Sequence, residues 1–111
     1  GDDSATEATL FVAPYPVQVT AIYYTTNVIA GAACTGTVVK ATGTAAPVKT
    51  TTPMHTADAI DFETAVHTVQ TMTLSSTTAD LKLVAGERIG YDTAGTKTNV
   101  EGTFTIIMKA I

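Results

Sequence analysis

The chain has 111 residues, of which 45% are hydrophobic and only 14% are charged, and its formal net charge is -4. This length fits one domain with one modest core. The six Lys and Arg residues are scattered singly along an acidic chain, which does not favour nucleic acid as a partner. No apolar run has membrane-spanning length and no signal-peptide pattern occurs, so a membrane partner is not expected.

Threonine takes the place of charged residues along much of this chain. About a fifth of the residues are Thr, whereas charged residues fall well below the roughly 25% of typical globular domains. Thr favours strands and tolerates either face of a sheet. Because charge is depleted at the cores of protein interfaces, the composition favours a β domain buried against other protein chains over an isolated soluble domain.

The chain divides into a short arm and one domain. Residues 1–7 are polar and acidic and are predicted to form a flexible arm, and residues 8–111 are predicted to form a single β-sandwich domain. Within the domain, residues 8–13 are a predicted strand. Pro14 and Pro16 cannot donate to a ladder, so they predict a strand end, an edge or a bend between sheets.

Two further strands are predicted in the first half of the chain. Residues 17–26 alternate in polarity, which is typical of a half-buried strand and places Tyr23 and Tyr24 on opposite faces. Residues 35–42 form the next predicted strand. Residues 44–53 are rich in Thr, Ala and Pro and are predicted to form a loop, which can include a short edge strand around Val48.

The middle of the chain, residues 54–69, allows two interpretations. It can form a short helix capped by Thr56, or it can be an irregular connection. The alternation that begins at Ile60 favours an extended stretch. In either case Ile60, Phe62 and Val66 are expected to anchor the segment to the core.

The remainder of the chain is predicted to be strands and turns. Residues 68–75 alternate in polarity and predict one strand. Residues 80–111 predict three more, with a bend at Gly86 and a turn at residues 92–95. The last strand, residues 103–111, becomes apolar on both faces, which predicts a central strand that is covered on both sides.

These elements together define the expected fold class. They amount to seven to nine short strands with turns between them and little helix. This spacing is the pattern of an all-β protein, an antiparallel β-sandwich that is jelly-roll-like.

Candidate reactive residues are few. Cys34 is the single cysteine, so no intramolecular disulfide is possible, and its small neighbours predict a buried thiol. Glu87 and Asp92 are five residues apart around a predicted strand, which places them on opposite faces and disfavours a glycosidase-type pair. No phosphate-binding loop or catalytic triad pattern occurs, so neither an enzyme nor a cofactor is predicted.

One loop carries several acidic residues. Oxygen-rich loops can hold Ca²⁺. The spacing in this chain does not match an EF-hand, so a solvated or interface loop is the preferred interpretation and no metal is predicted. The residues concerned are Asp58, Asp61 and Glu63, with His55 and His67 nearby.

Three segments in the second half of the chain share a recognisable arrangement. They are residues 60–76, which end in a Leu-containing strand, residues 80–95, DLKLVAGERIGYDTAG, and residues 102–109, GTFTIIMK. In this arrangement the chain resembles the decoration or cement (capsid-stabilising) proteins of tailed bacteriophages and some related head-fibre bases. Glu87 stands where such sequences often have Asp.

The resemblance implies a structural virion protein that acts through contact area and not through chemistry. It implies a β-sandwich, usually a homotrimer, on the outer surface of an icosahedral capsid where subunits of the major capsid protein meet. By this hypothesis the arm and residues 8–16 reach neighbouring chains, while loops at one end of the sandwich face the shell. The expected partner contacts are Leu10, Phe11, Pro14, Tyr15 and Pro16.

An alternative function is a receptor- or carbohydrate-binding domain of a phage fibre. In that case exposed rings at Tyr15, Tyr23 or Tyr24 would stack on a sugar. The absence of Trp and the low aromatic content of 6% make this the second choice.

Overall fold

A computed structural model describes residues 7–95 and 101–111, and these form an antiparallel β-sandwich of two sheets. A 3-10 turn at Thr78–Leu81 is the only helical element of the described residues. The predicted all-β sandwich with seven to nine strands and little helix is therefore confirmed. The eight strands are β1 (Glu7–Val12), β2 (Val17–Val28), β3 (Cys34–Ala41), β4 (Ile60–Asp61), β5 (Val69–Thr71), β6 (Lys82–Leu83), β7 (Arg88–Gly95) and β8 (Glu101–Ala110).

Each sheet is built around long strands. In the first sheet the order is β1-β7-β3-β4. In the second sheet β8 follows β2 along its whole length, from the pair Val17–Ala110 to the pair Val28–Glu101. Because β8 occupies one edge of β2 throughout, the short strands β5 and β6 share the opposite edge. The predicted arm lies outside the described residues except for Glu7, with which β1 begins.

The core lies between the sheets and is aliphatic and aromatic. Ile22, Val38 and Ile89 are fully buried, and burial of such side chains contributes about 1.5–3 kcal/mol each. The predicted separation of the two tyrosines is confirmed, since Tyr24 is buried and Tyr23 is half-buried. The predicted burial of the single thiol is confirmed as well.

The predicted turn at residues 92–95 is wrong, because these residues are the second half of β7. They pair with the start of β3, from Asp92 opposite Thr37 to Gly95 opposite Cys34. The Asp92 carboxylate accepts the backbone N–H of Lys49 at 2.8 Å, so it is not used in a turn of its own. The strand ends at Gly95, whose φ of 97° favours glycine.

The predicted central position of the last strand is also wrong. Among the described residues β8 pairs only with β2, so it is an edge strand. Its inner face packs against the core through Phe104, Ile106 and Met108, while Ile107 on the outer face is half-exposed. The described residues leave this second apolar face, on which the prediction of burial rested, exposed to solvent.

The segment 54–69 is an irregular connection and contains no helix. Asp58 and His67 have φ of 59° and 68°, in the left-handed region that a right-handed helix excludes. Ile60 and Phe62 are buried as expected, whereas Val66 is exposed. The strand predicted at residues 68–75 is limited to Val69–Thr71.

Candidate functional site

Two sheet edges, those of β1 and β8, lie on the same side of the sandwich. Phe11 of β1 lines a groove together with residues 106–110 of β8. Nearby, the ring of Tyr91 on β7 stacks on Phe104 of β8, with ring centroids 5.4 Å apart. We call this region the open side: the edges of β1 and β8 and the corner 13–16 that joins β1 to β2.

The groove of the open side is apolar. It has a volume of about 400 Å³. Apart from the Lys109 side chain, its lining consists of apolar side chains and backbone, and the principal members are Phe11, Pro14, Tyr15, Ile106, Ile107 and Met108. A concave apolar surface of this kind is suited to a protein segment or another apolar side chain and offers no chemistry of its own.

The corner between β1 and β2 is held by backbone hydrogen bonds. The Ala13 N–H donates to the Glu87 carbonyl at 2.9 Å, and the Ala13 carbonyl accepts the Gly86 N–H at 2.8 Å. On the other flank, the Ile111 N–H donates to the Pro16 carbonyl at 3.1 Å. The bend predicted by the two prolines is confirmed, and Tyr15 projects from a segment that is fixed at both ends.

The structure brings three of the five predicted contact residues into the groove, namely Phe11, Pro14 and Tyr15. Tyr15 is 55% exposed, whereas Phe11 is half-buried and packs against the core. Leu10 is 38% exposed and lies at a register shift of β1 against β7, and Pro16 is exposed at the end of the corner.

Sequence reasoning missed two further apolar residues that are exposed near these elements, namely Ile107 and Ile111. Val12 is exposed as well and lies in the segment that was expected to reach neighbouring chains, although it was not among the named contacts. The signal was present in the sequence. The two apolar faces of β8 were interpreted as the mark of a buried central strand. An edge strand whose outer face contacts another chain produces the same pattern, so the pattern alone does not separate the two cases.

The basic residue next to the end of β1 is engaged in hydrogen bonds. Arg88 lies opposite Val12, and its guanidinium donates to the carbonyls of Gly43 and Ala45 at 3.0 and 2.6 Å. This arrangement ties the loop after β3 to β7.

The acidic residues of the loop 54–69 are used in separate local contacts. The Asp58 carboxylate forms an ion pair with Lys49 at 2.8 Å, and this hydrogen bond raises the pKa of the lysine. One Asp61 oxygen accepts the Glu63 N–H at 2.9 Å. Within the described part of the chain, no group of three or more His, Cys, Asp and Glu side chains is placed to hold a metal ion.

His55 is a buried residue with both ring nitrogens in hydrogen bonds. Its Nε2 accepts the Val38 N–H at 2.8 Å, which leaves the proton on Nδ1 to be donated to the Thr56 carbonyl at 2.8 Å. Burial lowers the pKa of the imidazole. This neutral side chain therefore acts as a backbone partner for β3.

The other residues considered for chemistry lie apart. Glu87 accepts the Val84 N–H at 2.7 Å, so its carboxylate caps its own turn. Tyr24 is buried in the core and cannot stack on a sugar from outside, which corrects one residue of the carbohydrate hypothesis. Its ring contacts Phe62 and Phe104 at centroid distances of 5.0 and 5.1 Å.

Comparison with known proteins finds no match among family models, curated proteins or solved structures. No helix of the described residues is long and apolar enough to cross a membrane.

Proposed function

We propose that this chain is a non-enzymatic structural protein that binds the outer surface of a bacteriophage capsid and stabilises it. It acts as a decoration or cement protein, with the major capsid protein as its partner, and a homotrimer is part of the proposal. The bacteriophage capsid is proposed as the binding surface because the sequence resembles decoration proteins of tailed bacteriophages. The observation that carries the proposal is the set of exposed apolar side chains on the open side of a charge-poor sandwich.

The physical role of such a protein is to add contact area. A shell that holds packaged DNA is under internal pressure, and a rigid domain bound across the seams between its subunits resists their separation. Each Å² of apolar surface removed from water contributes about 25 cal/mol. This role needs no reactive group, in keeping with carboxylates that are engaged locally, such as Asp58 and Glu87.

The corner 13–16 is well suited to make such a contact. Tyr15 is more than half exposed, yet the backbone on both of its flanks is hydrogen-bonded. A fixed aromatic side chain loses little conformational freedom when it binds, which reduces the cost of association. Tyr is also among the residues most often found at the energetic centres of interfaces.

The contact is tested by Tyr15→Asp, which places a charge in the proposed interface. The variant is added to purified capsids that lack this protein, and the bound fraction is measured after sedimentation. We expect at least about tenfold weaker binding with an unchanged melting temperature. Val69→Asp is the matched control, because Val69 is equally apolar and exposed but lies on β5, on the opposite edge of the second sheet.

Two results would decide against parts of the proposal. Binding by Tyr15→Asp that equals binding by Val69→Asp would remove the contact assignment and leave the function open. The function itself is measured by the copy number in purified virions, using quantitative mass spectrometry. A number comparable to that of the major capsid protein is expected, a few copies would indicate a fibre or vertex, and absence would overturn the proposal.

A further inference from the structure

The outer edge of β8 is long, and the described residues leave it unpaired. The strand covers Glu101–Ala110, and no strand of the described residues pairs with its second edge. Its only charged residues are Glu101 and Lys109, one near each end. A long edge without internal charge, proline or a bulge is a template for a further strand. The occupant of such an edge must be an extended segment that offers its own backbone groups.

Hydrogen bonds within the second sheet establish which backbone groups of β8 face outwards. The Met72 N–H donates to the Ile22 carbonyl at 3.0 Å, so Ile22 faces the β5 side of β2. Successive residues of a strand direct their N–H and C=O groups to opposite edges, and Tyr23 therefore faces β8. Tyr23 lies opposite Thr105, so Thr105 and the other odd-numbered residues of β8 bond to β2.

The end of the strand agrees with this assignment. The Ile111 N–H donates to the Pro16 carbonyl, which places another odd-numbered residue on the inner edge. The register shifts between β2 and β8 skip residues on β2 only, so the alternation along β8 is unbroken. The residues that direct N–H and C=O groups to the open edge are therefore Gly102, Phe104, Ile106, Met108 and Ala110.

We propose that two copies of this chain pair through β8, antiparallel, about a two-fold axis at Thr105. In this register the residues whose backbone N–H and C=O groups point to the open edge lie opposite one another in the two copies, as hydrogen-bonded pairs require. Phe104 of one copy lies opposite Ile106 of the other, and Gly102 lies opposite Met108. Every hydrogen-bonded pair in this register thus joins two residues whose backbone groups point to the open edge. The pair of Gly102 with Met108 also leaves room for the large methionine side chain. The register also extends the inner apolar face of the second sheet from one copy to the next.

Charge complementarity selects this register from its neighbours. With Thr105 on the axis, Glu101 of each copy lies opposite Lys109 of the other, so the interface contains two opposite-charge pairs. A shift of the axis by one residue in either direction keeps the parity of the hydrogen bonds but places Glu101 opposite Ile107 or Ile111. Only the register centred on Thr105 pairs both charges, and it pairs nine of the ten residues of the strand, 101–109. Opposite charges across an antiparallel pair are favourable, and a charge opposite an aliphatic side chain is not.

This pairing does not depend on the proposed capsid function, since it is a property of the purified chain in solution. It is also compatible with a homotrimer, because each copy contributes a single edge to it. A trimer that also pairs through β8 would have the mass of a hexamer with both two-fold and three-fold axes.

A disulfide across the axis tests the register directly. In a non-hydrogen-bonded antiparallel pair the Cα atoms are about 4.5 Å apart, within the range that a disulfide accepts. Thr105→Cys should therefore form a covalent dimer under mild oxidation. Thr103→Cys is the matched control, because both threonines are exposed on the same face of β8 but the two copies of residue 103 would be about 14 Å apart. The native Cys34 is buried, so the unmodified chain provides the baseline.

A charge exchange tests the same register without a covalent bond. Lys109→Glu should weaken the dimer at least tenfold in sedimentation equilibrium, because each Glu101 then faces a like charge. Glu101→Lys combined with Lys109→Glu should restore association to within about threefold of the original. A chain that stays at its unpaired mass at all concentrations, cross-linking of Thr105→Cys that is no faster than that of Thr103→Cys, or a double variant as weak as Lys109→Glu would overturn the proposal.

Discussion

Strands β3 and β8 are similar in sequence and opposite in environment. Each has Thr followed by adjacent aliphatic residues and then a Lys-Ala pair, at residues 37–41 and 105–110. In β3 most residues are buried, whereas β8 alternates between half-buried and exposed residues and has no fully buried position. The difference arises from the neighbours, because β3 lies between β7 and β4 and β8 has only β2.

The second edge of β3 is closed by more than the two-residue strand β4. Beyond β4, the segment that precedes it supplies backbone and side-chain partners. The Val38 carbonyl accepts the Met54 N–H at 2.9 Å, its N–H donates to the His55 ring, and the Lys40 N–H donates to the Thr52 carbonyl at 3.0 Å. In the described residues β8 has no equivalent cover. The second edge of β3 is therefore covered by its own chain, whereas the second edge of β8 is not covered by any described residue.

Replacing an isoleucine by alanine beside β3 and on β8 should give the largest difference in the loss of unfolding free energy. Ile60 is fully buried on β4 beside β3, and Ile107 is half-exposed on β8. Ile60→Ala should reduce the free energy of unfolding by about 3 kcal/mol, because it removes buried carbons and leaves a cavity. Ile107→Ala should cost less than about 1 kcal/mol. Chemical denaturation at low protein concentration measures both, and equal costs would contradict the contrast.

The beginning of β8 should be less tolerant than its exposure indicates. A Cβ at Gly102 would overlap the Tyr24 hydroxyl, so Gly102→Ala should cost about 2 kcal/mol through displacement of the buried ring. The hydroxyl has no hydrogen-bond partner among the described residues. Burial, with a smaller contribution from Cys34, raises the pKa of Tyr24 to about 12, so the group stays neutral.

A second substitution sharpens this prediction. Tyr24→Phe removes the hydroxyl and should be neutral or stabilising by about 1 kcal/mol, because an unpaired buried polar group is lost. In a Tyr24→Ala background, which removes the whole ring, Gly102→Ala should cost clearly less than it does alone. In Tyr24→Phe most of that cost should remain, because the added Cβ would still overlap Cζ of the ring. A double-mutant cycle measures this coupling, and strictly additive costs would show that the two residues do not meet.

The smallest expected effect is a pH dependence of the free energy of unfolding, which arises from His55 beside β3. The pKa of His55 is lowered in the folded chain, so the unfolded chain binds a proton first as the pH falls. The stability associated with the neutral ring is complete above the unfolded pKa of about 6.5 and is lost as the pH falls below it. His55→Gln should remove this part of the slope between pH 7 and 5, and His67→Gln makes the same change on the surface as a control. A slope that persists in His55→Gln would contradict the assignment.

Alternation and turn chemistry predicted much of the fold. The long strand β2, the corner at Pro14 and Pro16, and the bend at Gly86 each depend on local residue properties, and each is present. The predicted turn at residues 92–95 failed because the partner strand β3, far away in sequence, holds those residues extended. Local turn propensity was outweighed by a ladder that the sequence alone does not reveal.

The candidate site was predictable in part, and for a physical reason. The contact residues around Tyr15 were indicated by apolar side chains beside two prolines, which is a local signal. The role of β8 was not predictable, because an apolar strand face is the same in sequence whether it is covered by its own sheet or by another molecule. Only the order of the strands separates these cases, and it places β8 at the edge.

The proposed pairing requires that the outer edge of β8 is unpaired in one chain and hydrogen-bonded in a dimer. Amide hydrogen exchange, resolved by residue and measured at several protein concentrations, tests this most directly. In dilute solution the amides of Phe104, Ile106 and Met108 should exchange fast, while those of Thr105 and Ile107 are protected by β2. At higher concentration the first three should become protected together. Protection of these three amides in the most dilute sample, or none at any concentration, would contradict the account.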